Sequence, residues 1–230
     1  MRIAVACLLL AALAVSVANA QPYGPPLEHF PPKSGKPAPV VVLLSGASGT
    51  TNYRYYGTDV SELGYYAVLV DGNAILSRVV DGEWNLRQVI ANAQATPNAL
   101  PGKVFVVGFS QGGGGALAHA VVMPELVSGV VAYYPAISFA SGNLPGLAER
   151  IQVPVLVLAG ETDRFNNCCL IEHMRELNAA AKAKKVPLEL VTYRGAGHGF
   201  NMWGNAYQER AANDAWRRTR EMLARYLPLP

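Results

Sequence analysis

Lys103-Val104-Phe105-Val106-Val107-Gly108-Phe109-Ser110-Gln111-Gly112-Gly113-Gly114-Gly115-Ala116-Leu117-Ala118-His119-Ala120 organises the rest of the chain. Its first five residues are a β-branched, aromatic run that reads as a buried strand. Ala116 to Ala120 reads as part of a helix that begins near Gly115. Between them lies Gly108-Phe109-Ser110-Gln111-Gly112, a G-x-S-x-G pattern. In a chain with 22 glycines the bare pattern says little. With a strand before it and a helix after it, the pattern describes a sharp, strained turn that lifts a serine hydroxyl above a sheet. Gly108 and Gly112 remove side chains that would clash there, and Gly113 to Gly115 let the helix close on its neighbours. The helix N-terminus favours the negative charge that builds up when Ser110 attacks an electrophile. A Gly-rich phosphate loop is the competing reading, but the Lys-Ser/Thr pair of such a loop is missing.

The same kind of unit recurs on either side. Val40 to Leu44, Tyr66 to Val70, Val127 to Ala132, Val153 to Leu158 and Leu188 to Val191 read as further strands. Helical spacing covers Tyr53 to Leu63, closed by Gly64, and then Asn85 to Ala95, Leu170 to Ala183 and Ala206 to Tyr226. Gln21 to Pro39 reads as an extended lead-in, and Ser138 to Glu149 as an irregular rim loop or small lid. The strands are continuous apolar runs, not alternating ones. Strands buried on both faces and alternating with helices predict an α/β fold: a mostly parallel sheet of about six to eight strands, helices on both faces. Functional residues then belong in loops after the carboxyl ends of the strands.

A serine nucleophile needs a base, and His198 stands in Gly195-Ala196-Gly197-His198-Gly199-Phe200 directly after the last strand. His119 and His173 lie inside helical patterns, and His29 lies in the lead-in. The base needs an orienting acid, with chain order Ser…Asp/Glu…His. Asp163, in the loop after the Val153–Leu158 strand, is the aspartate of that interval; Glu161 is its local rival. Backbone N–H groups of Gln111 and of Ala47, with Ser48 beside it, are candidates for an oxyanion hole. Tyr55, Tyr56, Trp84, Tyr133, Tyr134 and Trp203 lie near strand ends or loops and are candidate pocket walls; ordinary core burial explains such aromatics equally well.

The chain has 230 residues, 51% hydrophobic and 15% charged, which suits one globular domain over residues 21–230 and excludes a disordered chain. A net charge of +3 without a dense basic stripe argues against a nucleic-acid surface. Arg2, the apolar run Ile3 to Val17 and Ala18-Asn19-Ala20 form a cleavable export signal over residues 1–20. The apolar run falls short of the ~20 residues of a membrane span. Cys7 leaves with that signal, and Cys168 and Cys169 are adjacent. No metal-ligand spacing is present. An exported chain meets oxidising conditions, yet neighbouring Cα atoms are only about 3.8 Å apart, below the usual disulfide range, so the reading favours free thiols.

Gly108-Phe109-Ser110-Gln111-Gly112-Gly113, the Gly160-Glu161-Thr162-Asp163 loop and Tyr193-Arg194-Gly195-Ala196-Gly197-His198-Gly199-Phe200 together resemble the dienelactone hydrolase family. The resemblance runs from about Val40 to the C-terminus. It implies a monomeric α/β-hydrolase that cleaves small-molecule esters or lactones without a metal or other cofactor. Ser110 stands where the best-known members carry cysteine, which points toward general carboxylesterase chemistry. Ser45 stands where many α/β-hydrolases carry histidine. The Gly112–Gly115 run also resembles bacterial cutinases and polyester hydrolases. An acyltransferase on the same three residues, and a catalytically silent binding protein on the same fold, remain the alternatives.

Overall fold

The structure is a computed structural model and describes residues 23–230; the expected export signal lies outside them. Seven strands form one sheet: β1 (Glu28–Phe30), β2 (Val40–Leu44), β3 (Tyr66–Val70), β4 (Val104–Phe109), β5 (Val127–Tyr133), β6 (Val155–Gly160) and β7 (Leu188–Tyr193). Their spatial order is β1-β3-β2-β4-β5-β6-β7. All neighbours pair in parallel except β1, which runs antiparallel to β3 at one edge. This is the α/β-hydrolase fold.

Among the described residues, six α-helices cover the sheet: α1 (Arg54–Glu62), α2 (Gly82–Gln94), α3 (Gln111–His119), α4 (Leu144–Glu149), α5 (Ile171–Lys184) and α6 (Glu209–Tyr226). The pleat of β2 shows why both faces need cover. Val40, Val42 and Leu44 point to one side, where they join Leu86, Ile90, Leu117, Leu147 and Leu177 from α2, α3, α4 and α5. Val41 and Leu43 point to the other, where they join Tyr56, Val60, Ala215 and Leu223 from α1 and α6. A strand of this kind has no polar face, so its sequence is apolar throughout. Burying each such side chain contributes about 1.5–3 kcal/mol.

One expectation needs extending and three need correction. The lead-in is extended as expected but also joins the sheet: Glu28–Phe30 pairs with β3 and closes the sheet's edge. Three residues carry too little periodicity to be seen as a strand. The helix after the elbow starts at Gln111, not near Gly115, so Gly112 to Gly115 are all helical and buried. Glycine costs up to ~1 kcal/mol per helical position relative to alanine. Close packing overrides that propensity here, because a Cβ at Gly108 would run into the Gly112 carbonyl and one at Gly112 into the Leu44 carbonyl. The stretch from Ser138 to Glu149 contains α4, started by Asn143, whose side chain accepts a 2.9 Å hydrogen bond from the Gly146 N–H. Finally, Cys168 and Cys169 are joined as a disulfide across a Cα–Cα distance of 3.8 Å, where the sequence favoured thiols. The two side chains turn toward each other across a single peptide unit, and Cα spacing alone does not report that.

Candidate active site

Ser110 ends β4 and opens α3 with φ 49° and ψ −109°, a left-handed conformation that a serine adopts only when its surroundings enforce it. The surroundings do so through three backbone bonds. The Ser110 N–H donates to Tyr133 O at 3.0 Å, and the Ser110 carbonyl accepts from Gly114 and Ala136 N–H, each at 2.9 Å. The elbow is thereby pinned to the end of β5 and to the loop beyond it.

His198 arrives from the loop after β7. Gly195 and Gly199, at φ +74° and +72°, make the reversals on either side of it. Its Nε2 lies 2.9 Å from Ser110 Oγ and its Nδ1 2.8 Å from Asp163 Oδ2. The second Asp163 oxygen accepts the Phe165 N–H at 3.0 Å, so both carboxylate oxygens are engaged. Asp163 is 1% exposed in its side chain and His198 17%. The structure thus joins the three residues expected from the sequence. Glu161, the rival acid, instead accepts from Thr192 at 2.9 Å and from Arg175 at 3.2 Å. Thr162 bonds the Ala196 carbonyl through both its N–H and its hydroxyl, which ties the Asp163 loop to the His198 loop.

The loop after β2 supplies the opposite wall. Ser45 is fully buried; its hydroxyl accepts the Gly72 N–H at 3.1 Å and its carbonyl accepts the Gly112 N–H at 3.0 Å. This serine therefore couples β2, the turn after β3 and the elbow. The Asn73 amide donates to Ala47 O at 3.0 Å and to Asp71 Oδ1 at 2.9 Å, fixing the Ala47 peptide. Among the described residues, neither the Gln111 N–H nor the Ala47 N–H has a hydrogen-bond partner. Ala47 lines the cleft beside Ser110, and Gln111 directly follows Ser110 in the chain; donors at these two places fit an oxyanion hole.

Ala47, Ser48, Asn52, Tyr53, Ser110, Tyr134, Phe165, His198, Gly199 and Met202 enclose a cleft of about 240 Å³. A larger cavity, about 740 Å³, lies between the lead-in and α2 and holds none of these residues. Of the expected walls, Tyr134 borders the cleft: its ring meets the His198 ring edge-on at 4.7 Å. Tyr55 stands one layer behind, with its hydroxyl donating to Asn201 O at 3.2 Å and lying 3.3 Å from Met202 Sδ. Trp84 and Trp203 do not line the cleft. Trp84 sits in the first turn of α2, 46% exposed, outside the inward stripe of Leu86, Val89, Ile90 and Ala93. Trp203 is 76% exposed and stacks on Tyr207 at 4.6 Å. Tyr56 and Tyr133 are core residues.

Sequence reasoning missed Tyr53 and Phe165. Tyr53 is buried against Gly46, beside the elbow, and burial pushes its phenol above the ordinary range. Phe165 lies flat on the His198 imidazole, with centroids 4.5 Å apart and planes inclined 10°. Position two residues past Asp163, in the same loop, was the available signal. The two sulfurs of Cys168 and Cys169 and a ring nitrogen of His198 also converge, within 4.8 Å of one another. The sulfurs are bonded to each other and so present no thiolate to a metal.

A buried serine on a strained elbow, a histidine bonded to it, and a carboxylate bonded to the histidine define the class of α/β-hydrolase-fold proteins with a Ser–His–Asp site. The dienelactone hydrolase family model matches residues 72–227, and the chain belongs to that family. A Salmonella typhimurium protein provisionally named a carboxymethylenebutenolidase is 33% identical over 129 residues, which are 54% of this chain and 47% of that protein. The chain thus spans about half the length of the curated relatives it matches. A Klebsiella pneumoniae protein provisionally named a dienelactone hydrolase superposes with a TM-score of 0.75 at 23% identity, over 88% of this chain and 93% of that one. A thermophilic esterase of Thermogutta terrifontis superposes with a TM-score of 0.69 at 19% identity, over 88% of each chain. At these identities the two structures speak for the fold alone.

Proposed function

We propose that this chain is a carboxylic ester hydrolase that works through Ser110, His198 and Asp163 and takes small neutral esters or lactones. The observation that carries the reading is the unbroken series Asp163–His198–Ser110, at 2.8 and 2.9 Å, beside two unpartnered N–H groups. Family membership and the names of the relatives support it.

In this reading His198 Nε2 takes the Ser110 proton as Oγ attacks the ester carbonyl. The carbonyl oxygen, now negative, is held by the Gln111 and Ala47 N–H groups, with Ser48 N–H adjacent. Asp163 fixes the imidazole tautomer and stabilises the imidazolium without taking its proton. The imidazolium then protonates the departing alkoxide, leaving an acyl group on Ser110. Water, losing a proton to the same nitrogen, adds to the acyl carbonyl. Collapse of that second adduct releases the acid and restores the serine.

The cleft supports neutral substrates. Apart from His198 its lining has no ionisable side chain other than phenols, and Tyr53, Tyr134, Phe165 and Met202 make it mostly aromatic and apolar. Arg164, near in sequence, is turned toward Glu172 at 3.0–3.1 Å. A substrate carboxylate would lose its water there without meeting a cation. The relatives' name, carboxymethylenebutenolidase, describes action on a carboxylate-bearing lactone, so this chain's substrates differ from what that name describes. Residues 1–20 support export as part of the same reading.

The deciding experiment is hydrolysis of p-nitrophenyl butyrate by the protein beside Ser110→Ala, with fluorophosphonate labelling of both. Turnover and labelling confined to the parent protein are expected. Equal turnover in Ser110→Ala would remove Ser110 from the chemistry.

A further inference from the structure

We infer that the Cys168–Cys169 disulfide is a positioning device of the hydrolytic site, holding the segment that grips His198. The inference rests on the proposed hydrolase reading and extends it to residues outside the Ser–His–Asp series.

One short segment touches the imidazole in three ways. Asp163 accepts from Nδ1 at 2.8 Å, Phe165 stacks on the ring at 4.5 Å, and the two sulfurs lie within 4.8 Å of a ring nitrogen. That segment cannot rest on local preference. Asn166 and Asn167 are both left-handed, at φ 47° and 53°. Asparagine tolerates that region better than most residues, but two in succession still need enforcement from outside. Phe165 is 52% exposed, so its own burial does little to hold it.

The enforcement comes from the cysteines. Cys169 is 1% exposed and belongs to the core beneath the sheet, next to Ile171 at the start of α5. The Cys168 carbonyl accepts from Ile137 N–H at 3.0 Å and Ser138 N–H at 3.2 Å, and its N–H donates to Phe165 O at 3.0 Å. Cys168 thus hangs between the β5–α4 connection and the Phe165 turn, while Cys169 is anchored in the core. A bond between their sulfurs removes the side-chain freedom that would let Cys168, and with it Phe165 and Asp163, drift from the ring. Breaking it leaves the backbone bonds but frees both side chains beside His198.

The test compares the oxidised protein with the protein reduced in dilute urea by a phosphine and returned to buffer. In that reaction phosphorus attacks one sulfur, the S–S bond breaks, and water provides the oxygen of the phosphine oxide and the two thiol protons. Thiol titration establishes release of the pair. kcat and KM on p-nitrophenyl butyrate are then measured well below the unfolding temperature. Reduction, and independently Cys168→Ser/Cys169→Ser, is expected to lower kcat about tenfold, since sub-ångström misplacement of a reacting group costs on this order. KM should change less, because Tyr53, Tyr134 and Met202 stay in place, and reoxidation of the parent protein should restore kcat. A bond that served stability alone would lower Tm and leave kcat of the folded protein unchanged; that result, with both thiols titrated, overturns the inference. If the double variant does not fold, the reduction and reoxidation arms decide. If the pair resists reduction, the double variant decides. An oxidised protein with neither turnover nor fluorophosphonate labelling would overturn the hydrolase reading itself, a failure distinct from equal turnover in both redox forms.

Discussion

Phe165 lies nearly parallel to the imidazole of His198, with ring centroids 4.5 Å apart and planes inclined 10°. Tyr134 meets the same ring edge-on at 4.7 Å. The imidazole therefore meets two aromatic rings while its nitrogens are held by Ser110 and Asp163. Aromatic pairs of this kind contribute about 0.5–1.5 kcal/mol beyond area burial. Phe165→Ala is accordingly expected to lower kcat/KM on p-nitrophenyl butyrate by about two- to tenfold. Phe165→Tyr should retain most activity. An alanine variant as active as the parent would show that the ring holds itself without the stack.

Asp163 and Glu161 stand two residues apart in one loop, and their contacts separate them. Asp163→Asn keeps the shape but reverses the bond to Nδ1, so kcat should fall about 10³- to 10⁴-fold. Glu161→Gln disturbs only the part-buried Thr192 bond and the exposed Arg175 contact, neither of which reaches His198 or Ser110, and should leave kcat within about threefold. Steady-state kinetics on the two variants decides the assignment, and the reverse pattern would exchange the roles.

The uncharged cleft predicts selectivity. p-Nitrophenyl butyrate and p-nitrophenyl hemisuccinate have similar acyl chains but differ by one carboxylate. The neutral ester should be favoured in kcat/KM by about 10²-fold, the cost of leaving a partly desolvated charge unpaired being on the order of 3 kcal/mol. Equal rates would mean that a cation reaches the acyl group after all.

Away from the site, Asp214 on α6 predicts a pH dependence of stability. Burial acts to raise its carboxyl, but hydrogen bonds from Arg218, Arg217 and Tyr193 outweigh this and hold it down at about 2. A depressed aspartate stabilises the fold above its unfolded value near ~4, and that contribution is lost as pH falls from ~4 through about 2. The partners are a third to a half exposed, so solvent screening limits the effect to roughly 1 kcal/mol. Asp214→Asn should lower Tm by a few degrees at pH 7 and leave it nearly unchanged at pH 2, as read by calorimetry across that range. An equal loss at both pH values would contradict the charge argument.

Export predicts the mature N-terminus. Intact-mass analysis of protein from an exporting host should give a chain that starts at Gln21; retention of Met1 would contradict it.

Much of this was legible along the chain. The apolar runs of β2, β3 and β4 read directly as buried strands, because a strand covered on both faces has no polar positions to confuse the pattern. Gly64, at φ +101°, closes α1 where a C-terminal glycine was expected. Ser110, Asp163 and His198 were found from chain order and from their place after strand ends. The cleft walls were not. Tyr53, Tyr55 and Tyr56 look alike in sequence, yet one faces the cleft, one backs Met202 and one is core. A rotation of about 100° per residue separates these fates, and composition does not report phase. Trp84 on α2 was misplaced for the same reason, whereas Trp203 lies on a bend before α6, where no helical or strand period sets the side chain's direction.

By itself, then, the amino-acid sequence determined the alternation of strands and helices, the strained serine turn and the identity of the three residues that meet there. Each of these rests on local periodicity, on glycines where a side chain would clash, or on order along the chain. The tertiary structure alone decided the placing of β1 at the sheet's edge, the closure of Cys168 onto Cys169, the coupling through Ser45 and the cover of Phe165 over His198. Those are backbone pairings and side-chain directions set by packing from several elements at once. No window of neighbouring residues contains that information.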